Sequence, residues 1–291
     1  MSNQNPMSFA VGSKSFTAVA INTASKAGEW IVSKLGDFNN LQLKSSVHDL
    51  VTEVDKGAEK MIRNLIQTHF PHHAILGEEG VEPGPAASQK ALEQVSDAEY
   101  LWIVDPLDGT TNFVHGFPFF SVSIALAHKG EVIVGVVYNP VHNELYVAEK
   151  GKGAYLKGKR IQVSSEHTLD HSLVATGLSA ERLNAMPANL RAIQAIGPKV
   201  RNLRLAGSAA LHMAYVASGR LSGFWEVGLN SWDMAAGALL ISESGGKVTD
   251  TLGNPYNLSV RHVLGTNGHI HNDLVRELDS ARATGFHQND L

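Results

Sequence analysis

Apolar residues at Ala20, Ala24, Ala27, Ile31 and Leu35 recur every three or four positions, which predicts one face of an N-terminal helix. Ala58, Met61, Ile62, Leu65 and Ile66 repeat the pattern; Asp55 is placed to cap this second helix and Pro71 to stop it. Two short apolar runs read as strands. Ala74–Leu76 leads into Gly77-Glu78-Glu79-Gly80, and Leu101–Val104 leads into Asp105-Pro106-Leu107-Asp108-Gly109-Thr110. Between them, residues 82–99 carry Pro83, Gly84 and Pro85 and read as a surface loop with one helical turn near Leu92. From Ser121 to Val163 the alternation has period two, broken by glycine turns, so an antiparallel sheet is expected. Farther on, helices are expected at Ser208–Ala217, Met234–Ser244 and Ile270–Ala281, with strands at Ser222–Val227 and Val263–Gly265. The pattern is an α+β first half, 1–165, joined to an α/β second half, 166–291, within one catalytic unit.

Composition narrows the function. With 43% hydrophobic residues in 291, the chain can build a large core. The net charge of −4 and the lack of a basic run argue against nucleic acid and against an anionic membrane surface. The most apolar region, Phe117–Tyr138, is cut by His128, Lys129, Gly130 and Glu131, so it reads as two strands around a turn and not as a membrane span. There is no cysteine, which removes disulfides, thiolate zinc and a thiol nucleophile, and which suits a cytoplasmic setting. No signal peptide is legible at the N-terminus.

The chemistry concentrates in the Asp-Pro-Leu-Asp-Gly-Thr segment. Asp105 and Asp108 follow a buried strand, Pro106 fixes φ, and Gly109 permits a tight turn, so both acids can face one spot. Taken alone, this could be a solvated turn. The preceding strand and the Gly-Thr-Thr-Asn opening of a helical turn shift the balance, because backbone N–H groups would then face an anion. Carboxylates this close repel unless a cation lies between them, and Mg²⁺ prefers such oxygen ligands. Glu78 offers a further carboxylate. Asp233 reads either as an N-cap or, since Ala235, Ala236 and Gly237 allow close helix packing, as a deep ligand.

Asp49-Leu50-Val51-Thr52 through Asp55, Gly77-Glu78-Glu79, Asp105 through Asn112, Gly207-Ser208-Ala209-Ala210 and Trp232 through Gly237 together resemble the inositol monophosphatase family, over roughly residues 15–280. The resemblance implies a five-layer αβαβα sandwich, a homodimer, two or three Mg²⁺ ions and lithium sensitivity. It implies metal ligation by Glu78, Asp105, the Leu107 carbonyl, Asp108 and Asp233. Catalytic roles fall to Glu78 and Thr110 at the attacking water, with Asp55 behind. Phosphate would rest on the N–H groups of Gly109 and Thr110. Ala209, Glu226 and Asp233 would lie at the leaving-group side, with Ser179 near the substrate and Lys44 on a flap. The implied reaction is hydrolysis of inositol 1-phosphate or another small phosphorylated polyol. The alternatives are fructose 1,6-bisphosphate, histidinol phosphate, adenosine 3′,5′-bisphosphate or, in another class, a metal-binding regulatory or RNA-associated module.

Two further signals are expected to be structural. Gly153–Lys159 looks like a nucleotide P-loop, but Arg160 stands where the Ser or Thr belongs, so a basic hairpin is the better reading. His69, His72, His73, His269 and His271 lack metalloprotease spacing and are expected at the surface or at caps.

Overall fold

Small residues at the predicted spacing let the first helix, α1 (Phe16–Ser33), lie close to its neighbours through Ala20, Ala24, Ala27 and Ile31. The structure is a computed structural model and describes residues 15–36, 41–43, 50–179 and 185–285. Two short strands, β1 (Leu41–Leu43) and β2 (Leu50–Thr52), pair antiparallel and lead into α2 (Glu53–His69). The cap of α2 differs from expectation. Thr52, not Asp55, is the N-cap: its Oγ1 accepts from Val54 N at 3.0 Å, while Asp55 reaches back to accept from Thr52 N at 2.8 Å. An acid at the third helical position satisfies the cap's own N–H, which is the reciprocal arrangement of a capping box.

The first half builds a seven-stranded sheet from β3 (Ala74–Gly77), β4 (Tyr100–Asp108), β5 (Ser121–His128), β6 (Glu131–Asn139), β7 (Glu144–Glu149), β8 (Gly153–Leu156) and β9 (Lys159–Arg160), in that order. Only β3 and β4 run parallel in it; the other neighbours are antiparallel, as the period-two pattern predicts. The loop expected at 82–99 contains instead a helix of three turns, α3 (Pro85–Val95). Pro85 begins the helix and does not break it, because its missing N–H lies where no helical bond is due. A five-residue helix, α4 (Thr110–Val114), follows β4. The P-loop look-alike is the β8–β9 hairpin, whose two turn residues Lys157 and Gly158 both have positive φ, as such tight hairpins require.

The second half contributes β10 (Leu173–Thr176), α5 (Ala185–Ile196), β11 (Asn202–Arg204), α6 (Ala209–Ala217), β12 (Gly223–Val227), α7 (Ser231–Glu243), β13 (Lys247–Asp250), β14 (His262–Thr266) and α8 (His271–Ser280). Its five strands are ordered β11-β10-β12-β14-β13, parallel among the first three and antiparallel beyond.

Side-chain alternation shows the layering. Trp102 and Val104 on β4 pack with α1 and α2, whereas Leu101 and Ile103 pack with α6 and α7. Across those two helices, Ala175 and Phe224 of the second sheet join the same core, and Val174, Trp225 and Leu264 face α5 and α8. The result is a five-layer αβαβα sandwich. The middle layer is tight: a Cβ on Gly135 of β6 would stand 2.8 Å from the Ala236 carbonyl oxygen of α7.

Histidines supply one correction. His271 is 1% exposed, bonded to Thr249 Oγ1 at 3.0 Å and Thr266 Oγ1 at 2.8 Å, and burial pushes its pKa down to about 4. His73 also has an inward role, stacking between Phe70 and Tyr100 and accepting from Trp102 Nε1. His72 and His269 are exposed as expected. Among the described residues, no helix is long and apolar enough to cross a membrane.

Candidate active site

Strand β4 ends in an irregularity that carries the chemistry. Asp105 pairs with Ser123 and Asp108 with Ser121, three steps on one strand against two on the other. This bulge re-aims the strand end between the two acids. Leu107 is buried in the core and anchors the bulge, while its N–H donates to Asp105 Oδ1 at 2.9 Å. Gly109 then turns at φ +99°, where a Cβ would stand 3.1 Å from the Phe119 carbonyl oxygen. That left-handed turn starts α4 and presents the Gly109 and Thr110 backbone beside the acids.

Each remaining acid is brought in by its own element. Because β3 runs parallel to β4 with Gly77 beside Val104, Glu78 emerges next to Asp105. Asp108 is met by the N-terminus of α6: Ser208 Oγ donates to it at 2.5 Å, Ala210 N at 2.8 Å and Ala209 N at 3.3 Å. Asp233 is the third residue of α7, not its N-cap, and accepts from Asn230 N at 2.7 Å. The start of α7 is tied to β5 by Ser123 Oγ, which donates to the Trp232 carbonyl at 3.1 Å. Glu226 comes from β12 and is 6% exposed. Thr110 Oγ1 lies 2.8 Å from Asp55 Oδ1 and 3.1 Å from the Leu107 carbonyl, so its one proton serves one acceptor at a time.

These acids sense one another. Burial, then Glu78, Asp108 and Asp233, hold Asp105 well above the usual carboxylate range. Asp233 is raised by burial, Glu78 and Asp108, and Glu226 by burial, Asp233 and Asp108. Burial pushes Asp108 up to about 6, although Ser208 and Ala210 donate to it. Asp55 is raised by burial against the pull of Thr52 and Thr110. A cavity of about 460 Å³ opens here, lined by Glu78, Asp108, Glu226 and Asp233 together with Gly207, Ala209, Ser179 and Arg261. Ser179 Oγ donates to the Gly228 carbonyl at 3.3 Å on its wall. Lys44 lies outside the described residues.

Among the described residues, no three acidic or histidine side chains already stand close enough to hold one ion. The chemistry of the donor set shows what the site could hold. Buried oxygens, several of them anionic and raised in pKa by their neighbours, suit a hard divalent cation and suit neither a soft metal nor an anion.

Three residues at the site were not singled out from sequence. Ser208 steadies Asp108, as above. Glu59 on α2 is buried, takes Arg63 Nε at 2.7 Å, and accepts from Glu79 N at 2.7 Å, so it holds the Glu78 turn from behind. The Glu59–Arg63 spacing of four was a readable helix-surface pair, but nothing local tied it to Glu78. Asn112 lies inside the quoted motif, yet its partners are distant in sequence.

Known proteins resemble this chain in sequence and in fold. The profile of the inositol monophosphatase family matches residues 13–283. The chain is 44% identical over 268 residues to inositol monophosphatase 2 of Solanum lycopersicum, covering 91% of this chain and 98% of that protein. It is 40% identical over 253 residues to the Nus factor SuhB of Pseudomonas aeruginosa, covering 86% and 90%. The structure of an IMPase from Thermotoga maritima superposes with a TM-score of 0.81 at 35% identity, covering 91% of this chain and 97% of that one.

Proposed function

Because the chain belongs to the inositol monophosphatase family and is therefore a metal-dependent phosphatase of small phosphate monoesters, we propose that its substrate is inositol 1-phosphate or a close polyol phosphate and its metal Mg²⁺. The observation that supports this reading is the cavity lined together by Glu226, Asp108 and Asp233, where Glu226 would accept a substrate hydroxyl beside acids that would hold the metal.

Glu78, Asp105, the Leu107 carbonyl, Asp108 and Asp233 would hold two or three ions. Bound there, divalent cations supply neutralisation of the ester's charge and Lewis-acid activation of water. The chain's own groups do the positioning. The Gly109 and Thr110 N–H groups receive phosphate oxygens. The Thr110 hydroxyl orients the attacking water and relays its proton: it gives its own hydrogen to Asp55 as it accepts the water's, with Glu78 nearby. Glu226 and the Ala209 backbone hold the polyol, with Ser179 at the cavity wall and Asp233 beside the departing oxygen. Lys44 is assigned to the entrance. The same reading takes the protein as a homodimer in the cytoplasm; the cysteine-free chain suits a reducing compartment.

The test is phosphate release from a panel of inositol, fructose, histidinol and adenosine phosphates, with and without Mg²⁺. Asp105→Asn should remove turnover on all of them. Glu226→Gln should lower kcat/KM on inositol phosphates by about tenfold or more while sparing the others, the scale expected for one lost buried polar contact. No Mg²⁺-stimulated turnover of any inositol phosphate sinks the substrate assignment. The 40% identity to a Nus factor motivates a second reading, a regulatory module. Biological function retained in Asp105→Asn with catalysis gone would favour it.

A further inference from the structure

One side-chain amide joins backbone from the two halves of the chain, next to the loop whose Gly207 and Ala209 line the cavity. Asn112, on α4, donates from Nδ2 to the Phe119 carbonyl and to the Ala206 carbonyl, each at 2.6 Å. Both N–H groups of the amide point at carbonyls, and both bonds are slightly shorter than is usual for an amide donor. Phe119 leads into β5 of the first sheet, and Ala206 leads into α6 of the second half. The Ala206 peptide is held at its other end too, because its N–H donates to His212 Nε2 at 3.3 Å. His212 is 1% exposed, and burial pushes its pKa down to about 3, so the ring stays neutral and can accept.

The gripped loop continues directly into the site. Gly207 and Ala209 line the cavity, and Ser208 bonds to Asp108. Space around the amide is tight: a Cβ on Gly207, which sits at φ +84°, would stand 3.1 Å from Asn112 Nδ2. A Cβ on Gly109 would stand 3.2 Å from the Gly207 carbonyl oxygen. The phosphate turn and the 206–209 loop are therefore in contact, and Asn112 is bonded across the seam.

We propose that Asn112 is a positioning residue for the phosphatase reaction: it sets the separation between the turn that receives phosphate and the 206–209 loop that, with Glu226, faces the leaving group. The inference rests on the phosphatase reading above. A polyol phosphate spans both sides and depends on that separation. Inorganic phosphate occupies one side and is linked to the loop only through the bonds of Ser208 and Ala209 to Asp108. A misplacement of about 1 Å across a bound substrate can cost roughly a hundredfold in rate, whereas a packing role alone would weaken both ligands together.

The experiment uses the full chain at saturating Mg²⁺. KM and kcat for inositol 1-phosphate, and the competitive Ki of inorganic phosphate, are measured for wild type, Asn112→Ala and Asn112→Asp. Both variants should lower kcat/KM for the ester about tenfold or more and leave the phosphate Ki within about twofold. Asn112→Asp keeps the shape and loses the donors, so it separates hydrogen bonding from packing. Gly207→Ala, which presses on the same amide from the other side, should give the same pattern and serves if the Asn112 variants do not fold. An ester kcat/KM within about twofold of wild type, or a phosphate Ki that rises by the same factor as kcat/KM falls, overturns the proposal. If the wild type turns over a different phosphate monoester, the substrate assignment fails on its own and the same two constants are compared for that ester.

Discussion

Asp105 is 2% exposed and faces Glu78, Asp108 and Asp233, so folding places like charges where water cannot screen them. Its raised pKa means that the charged form is disfavoured in the folded chain, and without metal that repulsion is not offset. Asp105→Asn should therefore stabilise the metal-free protein, by about 1–2 kcal/mol, while it abolishes turnover. Thermal unfolding in a chelator checks this, and an unchanged or lowered Tm contradicts it. The acids of the Asp-Pro-Leu-Asp turn were readable in sequence because they stand within four residues and share one turn. Asn112 and Glu59 were not, because what they hold lies 94 residues away at Ala206 and 20 residues away at Glu79. Sequence spacing reports local geometry; it says nothing of which distant carbonyl will meet an amide.

At the scale of elements, periodicity found α1, α2 and the antiparallel sheet, since each buries one regular face. It gave α3 only one turn, near Leu92, because proline and glycine mark both loops and helix starts, and only the following Ala-Ser-Gln-Lys-Ala-Leu decides between them. It placed the start of two helices late, at Asp55 and Asp233, because an acid at the third position looks like a cap. The helix that matters most to the site is α7, apolar on nearly every side and carrying Asp233 in its first turn. Its distance from the seven-stranded sheet is set at Gly135. Gly135→Ala would push against Ala236 of α7 and should cost about 1–3 kcal/mol. Because Asp233 rides on that helix, the Mg²⁺ concentration needed for half-maximal activity should rise as well. A lower urea midpoint with unchanged metal dependence would show that the helix tilts without moving its first turn.

For the molecule as a whole, α6 and α7 belong to a core that includes both sheets. We treat residues 1–165 and 166–291 as halves of one catalytic unit on that ground, and they should unfold together. Proteins keeping only Trp102, inside the α1–α2 side, or only Trp225, inside the α5–α8 side, should give superimposable urea transitions. Two separate midpoints would show that the halves are independent. The shared middle layer also bears on how new specificities could be made from relatives. A gene crossover in the connecting stretch 161–168 would seat one parent's α6 and α7 on the other parent's seven-stranded sheet, including its counterpart of Gly135. Such hybrids inherit a mismatch at a closely fitted plane of the sandwich, while single replacements along the cavity wall leave the pairing of sheet and helices unchanged. Substrate range in this protein is therefore better changed by point substitution than by recombining halves.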